Sequence, residues 1–119
     1  MSDFIEIKDL LLRTIVGIKP EERENKQDVL IQLRLYTDLR AGAQSDNIDD
    51  TLNYRTVCKQ VIERVESSRF LLVERLAEEV ANVCLSHPQV TRVRISVEKP
   101  GALRFARSVG VVIERGRHE

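Results

Sequence analysis

The sequence contains few of the residues from which metal and redox sites are built. Its 119 residues include two Cys, two His and no Trp. Cys58 and Cys84 lie far apart and outside any Cys-x-x-Cys or Cys/His cluster, which argues against a zinc site. His87 precedes a proline and His118 lies in the C-terminal tail, so neither is a candidate for catalysis. We therefore predict two buried, reduced structural thiols and no metal.

Long apolar runs and an excess of either charge are also absent. No apolar stretch approaches the roughly 20 residues of a membrane-spanning helix, and the acidic N-terminus MSDFIEIKD lacks a basic-then-apolar secretion signal. Nineteen Lys and Arg balance nineteen Asp and Glu, which disfavours binding to nucleic acid or lipid through charge alone. We expect one cytoplasmic domain, 1–119 with an ordered core of about 4–116, that binds neither nucleic acid nor membrane.

Period-two alternation of apolar residues predicts strands in both halves of the chain. The four predicted strands are Phe4–Gly17, Val29–Tyr36, Val90–Lys99 and Ser108–Arg115. The first has a break near Asp9, and the polar loop Lys19–Asp28 connects it to the second as an antiparallel hairpin. Pro100 and Gly101 end the third strand.

The middle of the chain changes to a helical period. Valines 57, 61 and 65 recur at four-residue spacing after the polar connection Arg40–Asp50, as an amphipathic helix requires, with Thr51 or Asn53 as its N-cap. A second helix runs from about Leu72 to Ser86. The order ββααββ predicts an α+β fold with two helices on one face of a four-stranded antiparallel sheet. Its uncovered edges favour self-association.

Four reactive side chains fall at the ends of predicted elements, where scaffolds usually present functional groups. They are Glu22, Tyr54, Glu74 and Lys99. There is no zinc spacing, phosphate-binding glycine loop, nucleotide fingerprint or catalytic triad. Because about a third of the chain is charged and most charged side chains are simply solvated, composition alone favours solvated surface charges at these positions over a shared site.

Several segments resemble the dihydroneopterin aldolase/epimerase family, in matching order from about Phe4 to Gly116. These segments are Gly17-Ile18 with Glu22, LNYRTV from Leu52, LVERLA from Leu72 and EKPGA from Glu98. LRTIVGIKPEE, LNYRTV and ALRFARSV are similar to the epimerase branch of the family, whereas EKPGA and VGVVIERG are similar to the aldolase branch.

The resemblance implies the T-fold, in which subunits form four-membered rings around a continuous barrel and two rings commonly stack into an octamer. It implies pterin-binding sites between neighbouring subunits, without metal or organic cofactor. The epimerase branch implies retro-aldol cleavage and re-addition that inverts C2′ of 7,8-dihydroneopterin triphosphate. The aldolase branch implies release of glycolaldehyde in folate synthesis, and a non-catalytic pterin-binding or scaffold protein is a third possibility.

The resemblance also implies roles for individual residues. Lys99 is the expected general acid/base, with a pKa lowered by desolvation unless pairing with Glu22 opposes that shift. Glu22 would position a water or the substrate hydroxyl, and Tyr54 would donate a proton or hold the hydroxyl across a subunit boundary. The plainer alternatives are a strand-end lysine that discourages edge pairing and a solvated loop glutamate.

Substrate binding is expected at the start of each helix. Glu74 would accept two parallel N–H bonds from the pterin, next to free backbone N–H groups at Leu72 and Val73, and Leu52 is a further binding residue. A glutamate that only complements the helix dipole is the alternative. Arg55 and Arg104 are expected to hold the triphosphate, with Arg107 and Lys19 as weaker candidates and solvent-exposed arginines as the alternative.

Overall fold

The long helices and strands follow the predicted order ββααββ in the computed structural model, which describes residues 3–117. The strands are β1 (Phe4–Thr14), β2 (Gln27–Tyr36), β3 (Arg92–Pro100) and β4 (Ser108–Gly116). They form one antiparallel sheet in the order β1-β2-β3-β4. The helices are α1 (Pro20–Glu24), α2 (Arg40–Ser45), α3 (Tyr54–Glu66) and α4 (Val73–Leu85), with a 3-10 helix at Ile48–Asp50. The predicted α+β class is confirmed.

The connections contain more helix than the sequence predicted. The predicted loop 19–28 forms the five-residue helix α1, and the connection 40–50 forms α2 and the 3-10 helix. One or two turns are too short for an apolar period to show. In α1, Pro20 sets the first φ angle, and Glu21 and Glu22 complement the helix dipole.

Two local predictions are refined by the structure. The break near Asp9 is a β-bulge between Ile7 and Leu10, and Asp9 has a positive φ of 57°. Of the two candidate N-caps, Asn53 caps α3, since its side chain accepts hydrogen bonds from the N–H groups of Arg55 and Thr56.

The core lies between the sheet and helices α3 and α4. Alternate residues of β2 and β3 face the helices, and the apolar faces of α3 and α4 cover them. The fully buried residues include Val29, Ile31, Leu33, Leu35, Val57, Val61, Val65, Leu76, Val80, Val93, Ile95 and Val97. Within residues 3–117, the opposite face of the sheet carries no helix. Among the described residues, no helix has the length and apolar content needed to cross a bilayer.

The sheet has two distinct ends. At the first, which we call the Lys99 end, β1 and β3 finish and α4 begins. There, Thr14 Oγ1 donates to Val65 O at 2.7 Å, which joins the end of β1 to the end of α3. At the second, the Tyr54 end, β1 and β3 begin and α4 finishes. The Arg117 guanidinium fixes that end of α4 by donating to the carbonyls of Leu85 and His87.

Candidate active site

The Lys99 end contains a closely held ion pair. Lys99 Nζ donates to Glu22 Oε2 at 2.8 Å, although 77 residues separate the two in sequence. Only 13% of the Lys99 side chain and 19% of the Glu22 side chain are exposed. Lys99 lies near the end of β3, opposite Val109 of β4, and Glu22 lies on α1. Short helix α1 therefore places a carboxylate against the last residues of a central strand.

Three groups hold the Glu22 carboxylate. Besides Lys99, Gln27 Nε2 donates to Oε2 and the Lys19 backbone N–H donates to Oε1, each at 3.3 Å. The Lys99 hydrogen bond lowers the pKa of Glu22 to about 2, and the bonds from Gln27 and Lys19 add to this against the raising effect of burial. Glu22 is therefore a carboxylate at neutral pH.

Gly17 makes room for the Glu22 carboxylate. A Cβ at Gly17 would lie 2.3 Å from Glu22 Cδ. The residue also has a φ of +136°, which residues other than glycine rarely adopt. The spacing between Gly17 and Glu22, a sequence feature of the resemblance, thus has a steric cause.

Arg23 brings the start of α4 to the same place. Its guanidinium donates to the carbonyls of Gly17 and Phe70 at 3.1 Å and to Arg69 O at 2.7 Å, and Gly17 N–H donates to Phe70 O at 3.2 Å. Leu72, the residue before α4, follows two positions later.

The predicted pterin-binding group therefore lies at the Lys99 end. Leu72 and Glu74 are exposed, Val73 is half-buried, and the first N–H groups of a helix have no partner within the helix. The structure thus brings Glu22, Lys99, Leu72, Val73 and Glu74 to one end of the molecule.

Tyr54 and Arg55 lie at the opposite end. Tyr54 is 48% exposed, and both residues line a groove of about 470 Å³ with Ile5, Ile7 and Cys58. They occupy the first turn of α3, whose 13 residues span about 20 Å at 1.5 Å per residue. A single chain therefore does not bring the Tyr54 phenol to the Lys99 amine.

Leu52 belongs to the core. It is 2% exposed, so any contact with a substrate is left to its main chain.

The phosphate candidates are also divided between the ends. Arg104 lies in the loop 101–107 that follows Lys99, with its guanidinium carbon 4.9 Å from the centre of the Phe105 ring. In the same loop, Arg107 lies 3.7 Å from Glu98. Lys19 is exposed at the start of α1, whereas Arg55 is at the Tyr54 end.

Two residues that organise the site were not predicted from the sequence. Gln27 supports Glu22, and Arg23 joins α1 to the loop before α4. Both are ordinary polar residues within the predicted loop 19–28, and no spacing or motif distinguishes them from their neighbours. Their roles depend on contacts that only the folded chain forms.

The cysteines are free thiols on facing helices. Burial raises the pKa of Cys58, and raises that of Cys84 to about 12, so both are protonated at neutral pH. Within residues 3–117, no cluster of His, Cys, Asp and Glu is arranged to hold a metal ion.

Comparison with known proteins identifies relatives over almost the whole chain. The dihydroneopterin aldolase (FolB) family matches residues 5–114. The dihydroneopterin triphosphate 2′-epimerase of Pseudomonas aeruginosa is 44% identical over 109 residues, which cover 92% of this chain and 89% of the relative. The dihydroneopterin aldolase of Escherichia coli is 39% identical over 116 residues, which cover 98% and 95%.

A solved structure agrees with these relatives. The E. coli dihydroneopterin aldolase in complex with neopterin has a TM-score of 0.92 and 39% identity, covering 96% of this chain and 99% of that one. Sequence match and fold thus point the same way. The chain belongs to the dihydroneopterin aldolase family.

Proposed function

We propose that the chain inverts C2′ of 7,8-dihydroneopterin triphosphate, giving the dihydromonapterin triphosphate from which tetrahydromonapterin derives. The observation that carries the proposal is the Lys99–Glu22 pair beside the start of α4. It joins a proton-transfer group to a surface suited to an aromatic heterocycle. The identity of 44% to the P. aeruginosa epimerase, against 39% to the E. coli aldolase, favours epimerisation.

The reaction begins with removal of the proton from the C2′ hydroxyl. The C1′–C2′ bond then breaks, and its electron pair moves into the C=N system of the dihydropterin ring. If the aldehyde remains bound, rotates to present its other face and adds back to C1′, the configuration at C2′ is inverted. The proton then returns to the C2′ oxygen. Lys99 is the proposed proton-transfer group, acting directly or through water, while Glu22 orients that water or the hydroxyl.

The pterin binds at the start of α4. The Glu74 carboxylate accepts hydrogen bonds from the 2-amino group and N3, a bidentate arrangement that fixes the plane of the ring. Backbone N–H groups near Leu72 and Val73 donate to the ring carbonyl. The triphosphate is held by Arg104 together with Arg55 of a second copy, since the two lie at opposite ends of one chain, and their forked guanidinium groups suit phosphate oxygens.

A second copy of the chain completes the proposed site. Tyr54 lies about 20 Å from the Lys99 end along α3, so its phenol comes from a neighbour. Among residues 3–117, β1 and β4 each pair with one strand only, and Ile18, Leu71 and Leu72 are exposed at the Lys99 end. We propose four-membered rings that stack into an octamer, which light scattering of the purified protein tests by mass. A cytoplasmic location is part of the same proposal.

Aldolase activity is the second candidate. The alignment with the E. coli aldolase covers 98% of this chain at 39% identity, and the structure of its neopterin complex has a closely similar fold. The same groups serve both reactions, and protonation of C1′ with loss of glycolaldehyde replaces re-addition.

One experiment separates the two activities. The purified protein is incubated separately with dihydroneopterin and with its triphosphate, and the pterins are resolved by chromatography. We expect an inverted triphosphate without glycolaldehyde. Rapid formation of 6-hydroxymethyldihydropterin from the unphosphorylated substrate would favour the aldolase, and no conversion of either substrate would contradict both.

A further inference from the structure

The tip of the loop between β3 and β4 has an unusual residue for its conformation. Phe105 has a φ of 73°, in the left-handed region, and 96% of it is exposed. A bulky side chain is disfavoured there, whereas Gly or Asn would adopt it more easily. Burial of the ring does not explain this choice, because the ring is in solvent.

The ring contacts one charged group. The Arg104 guanidinium carbon lies 4.9 Å from the Phe105 ring centre, within range of a cation–π interaction. In the described part of the chain, Arg104 forms no ion pair, in contrast to Arg107, which faces Glu98 at 3.7 Å. The Arg104 N–H groups are therefore available to an anion.

The loop is fixed relative to Lys99. Ala102 N–H donates to Lys99 O at 3.3 Å, Gly101 N–H donates to Arg107 O at 2.9 Å, and Ala106 N–H donates to Leu103 O at 3.2 Å. A turn closed by these bonds holds the Arg104–Phe105 pair at the same end as the proposed proton-transfer group.

We propose that Phe105 is a positioning residue that holds the Arg104 guanidinium ready for the polyphosphate tail of the substrate. This inference rests on the proposed function, and it adds a residue that sets the preference for a phosphorylated pterin. A guanidinium held over a ring can still donate from its N–H groups to phosphate oxygens. It also restricts the side chain before binding, so that less rotational freedom is lost when the phosphate binds.

The test compares two substitutions at one position. Phe105→Asn removes the ring but suits the left-handed backbone, so the turn is retained; Phe105→Tyr keeps a ring for the guanidinium. Arg104→Ala removes the proposed phosphate group. Arg40→Ala, which removes an arginine paired with Asp38, controls for the loss of one positive charge.

The first measurement is binding of inorganic triphosphate by calorimetry at fixed salt. Phe105→Asn should weaken binding by about two- to fivefold, the effect of one exposed cation–π contact. Arg104→Ala should weaken it by about tenfold or more, as loss of a charge-assisted hydrogen bond does. Phe105→Tyr and Arg40→Ala should bind as the unsubstituted chain does.

The second measurement is steady-state kinetics with dihydroneopterin and its triphosphate. Phe105→Asn should raise KM for the triphosphate while kcat and the KM for unphosphorylated substrate stay unchanged. Equal effects on both substrates, or triphosphate binding unaffected by Phe105→Asn, would overturn the proposal.

Two further outcomes are decisive. Failure of the unsubstituted chain to bind inorganic triphosphate would overturn the proposal. So would a Phe105→Asn variant that binds triphosphate normally but has a changed assembly mass, since the loop tip would then be a contact between copies. If neither pterin is converted, the proposed function fails, while the calorimetry still decides the role of Phe105.

Discussion

The two ends of the sheet differ in how completely they are organised. At the Lys99 end, hydrogen bonds from Lys99, Gln27 and the Lys19 backbone hold one carboxylate, and Arg23 ties three segments together. At the Tyr54 end, a half-exposed tyrosine borders an open groove. The difference fits our proposal that the Lys99 end holds most of a site to which the Tyr54 end of a second copy contributes one group.

The largest effect is expected from Lys99→Ala. Loss of the proposed acid/base should reduce turnover by about 10²- to 10⁴-fold. Chromatographic assay of both pterin substrates measures the loss, and light scattering checks that the variant has the same assembly mass as the unsubstituted chain. Unchanged turnover in a correctly assembled variant would remove Lys99 from the chemistry and leave the Lys99 end without its principal function.

Gly17→Ala should disturb the Lys99 end through a steric clash added to backbone strain. The added Cβ would overlap the Glu22 carboxylate, so the carboxylate must leave its present position beside Lys99. We expect a loss of about 2 kcal/mol in unfolding free energy, measured in urea, together with reduced turnover.

Gly101→Ala is the control for an alanine at a positive φ without a clash. Gly101 also has a positive φ, 71°, but a Cβ there meets nothing within 4 Å. It should cost only the left-handed penalty of about 1 kcal/mol and leave Glu22 in place. Equal stability losses for the two alanine variants would show that the contact with Glu22 is unimportant.

The Glu22 carboxylate should stabilise the folded chain in a pH-dependent way. Its pKa is lowered from 4.5 to about 2 in the folded state, so its contribution is fully present above about pH 4.5 and is lost as the pH falls towards 2. Urea unfolding of the unsubstituted chain and Glu22→Gln should show a stability difference that shrinks over this interval. A pH-independent difference would contradict the ion pair.

The smallest effect is expected from the N-cap of α3. Asn53→Ala removes the side chain that accepts hydrogen bonds from Arg55 N–H and Thr56 N–H, and N-cap losses cost about 1 kcal/mol. Thermal unfolding of both variants measures this loss of stability, and Thr51→Ala, at the alternative cap position, should lose less than Asn53→Ala. The reverse order would show that the cap geometry of α3 is wrong.

The sequence predicted what depends on period and failed where single contacts decide. Alternation in β2 and β3 and the four-residue spacing of Val57, Val61 and Val65 identified the elements, because each pattern repeats over many residues. Helix α1 escaped prediction since a single turn has no period.

Proximity was equally hard to infer. The sequence predicts both Glu22 and Lys99 as site residues, and the structure places them in contact, but no pattern in the sequence indicates the contacts made by Gln27 and Arg23. The burial of Leu52 and the separation of Tyr54 from Lys99 follow from how α3 packs on the sheet. The segment LNYRTV, which contains Leu52 and Tyr54, does not show that packing.

Subunit complementation tests the division of the site most directly. Lys99→Ala and Tyr54→Ala chains, each nearly inactive alone, are co-expressed with different tags and purified as mixed assemblies. Random pairing of neighbours should restore both groups in about one quarter of the sites, so the mixed assemblies should regain roughly that share of activity. Mixed assemblies no more active than the separate variants would contradict a site shared between copies.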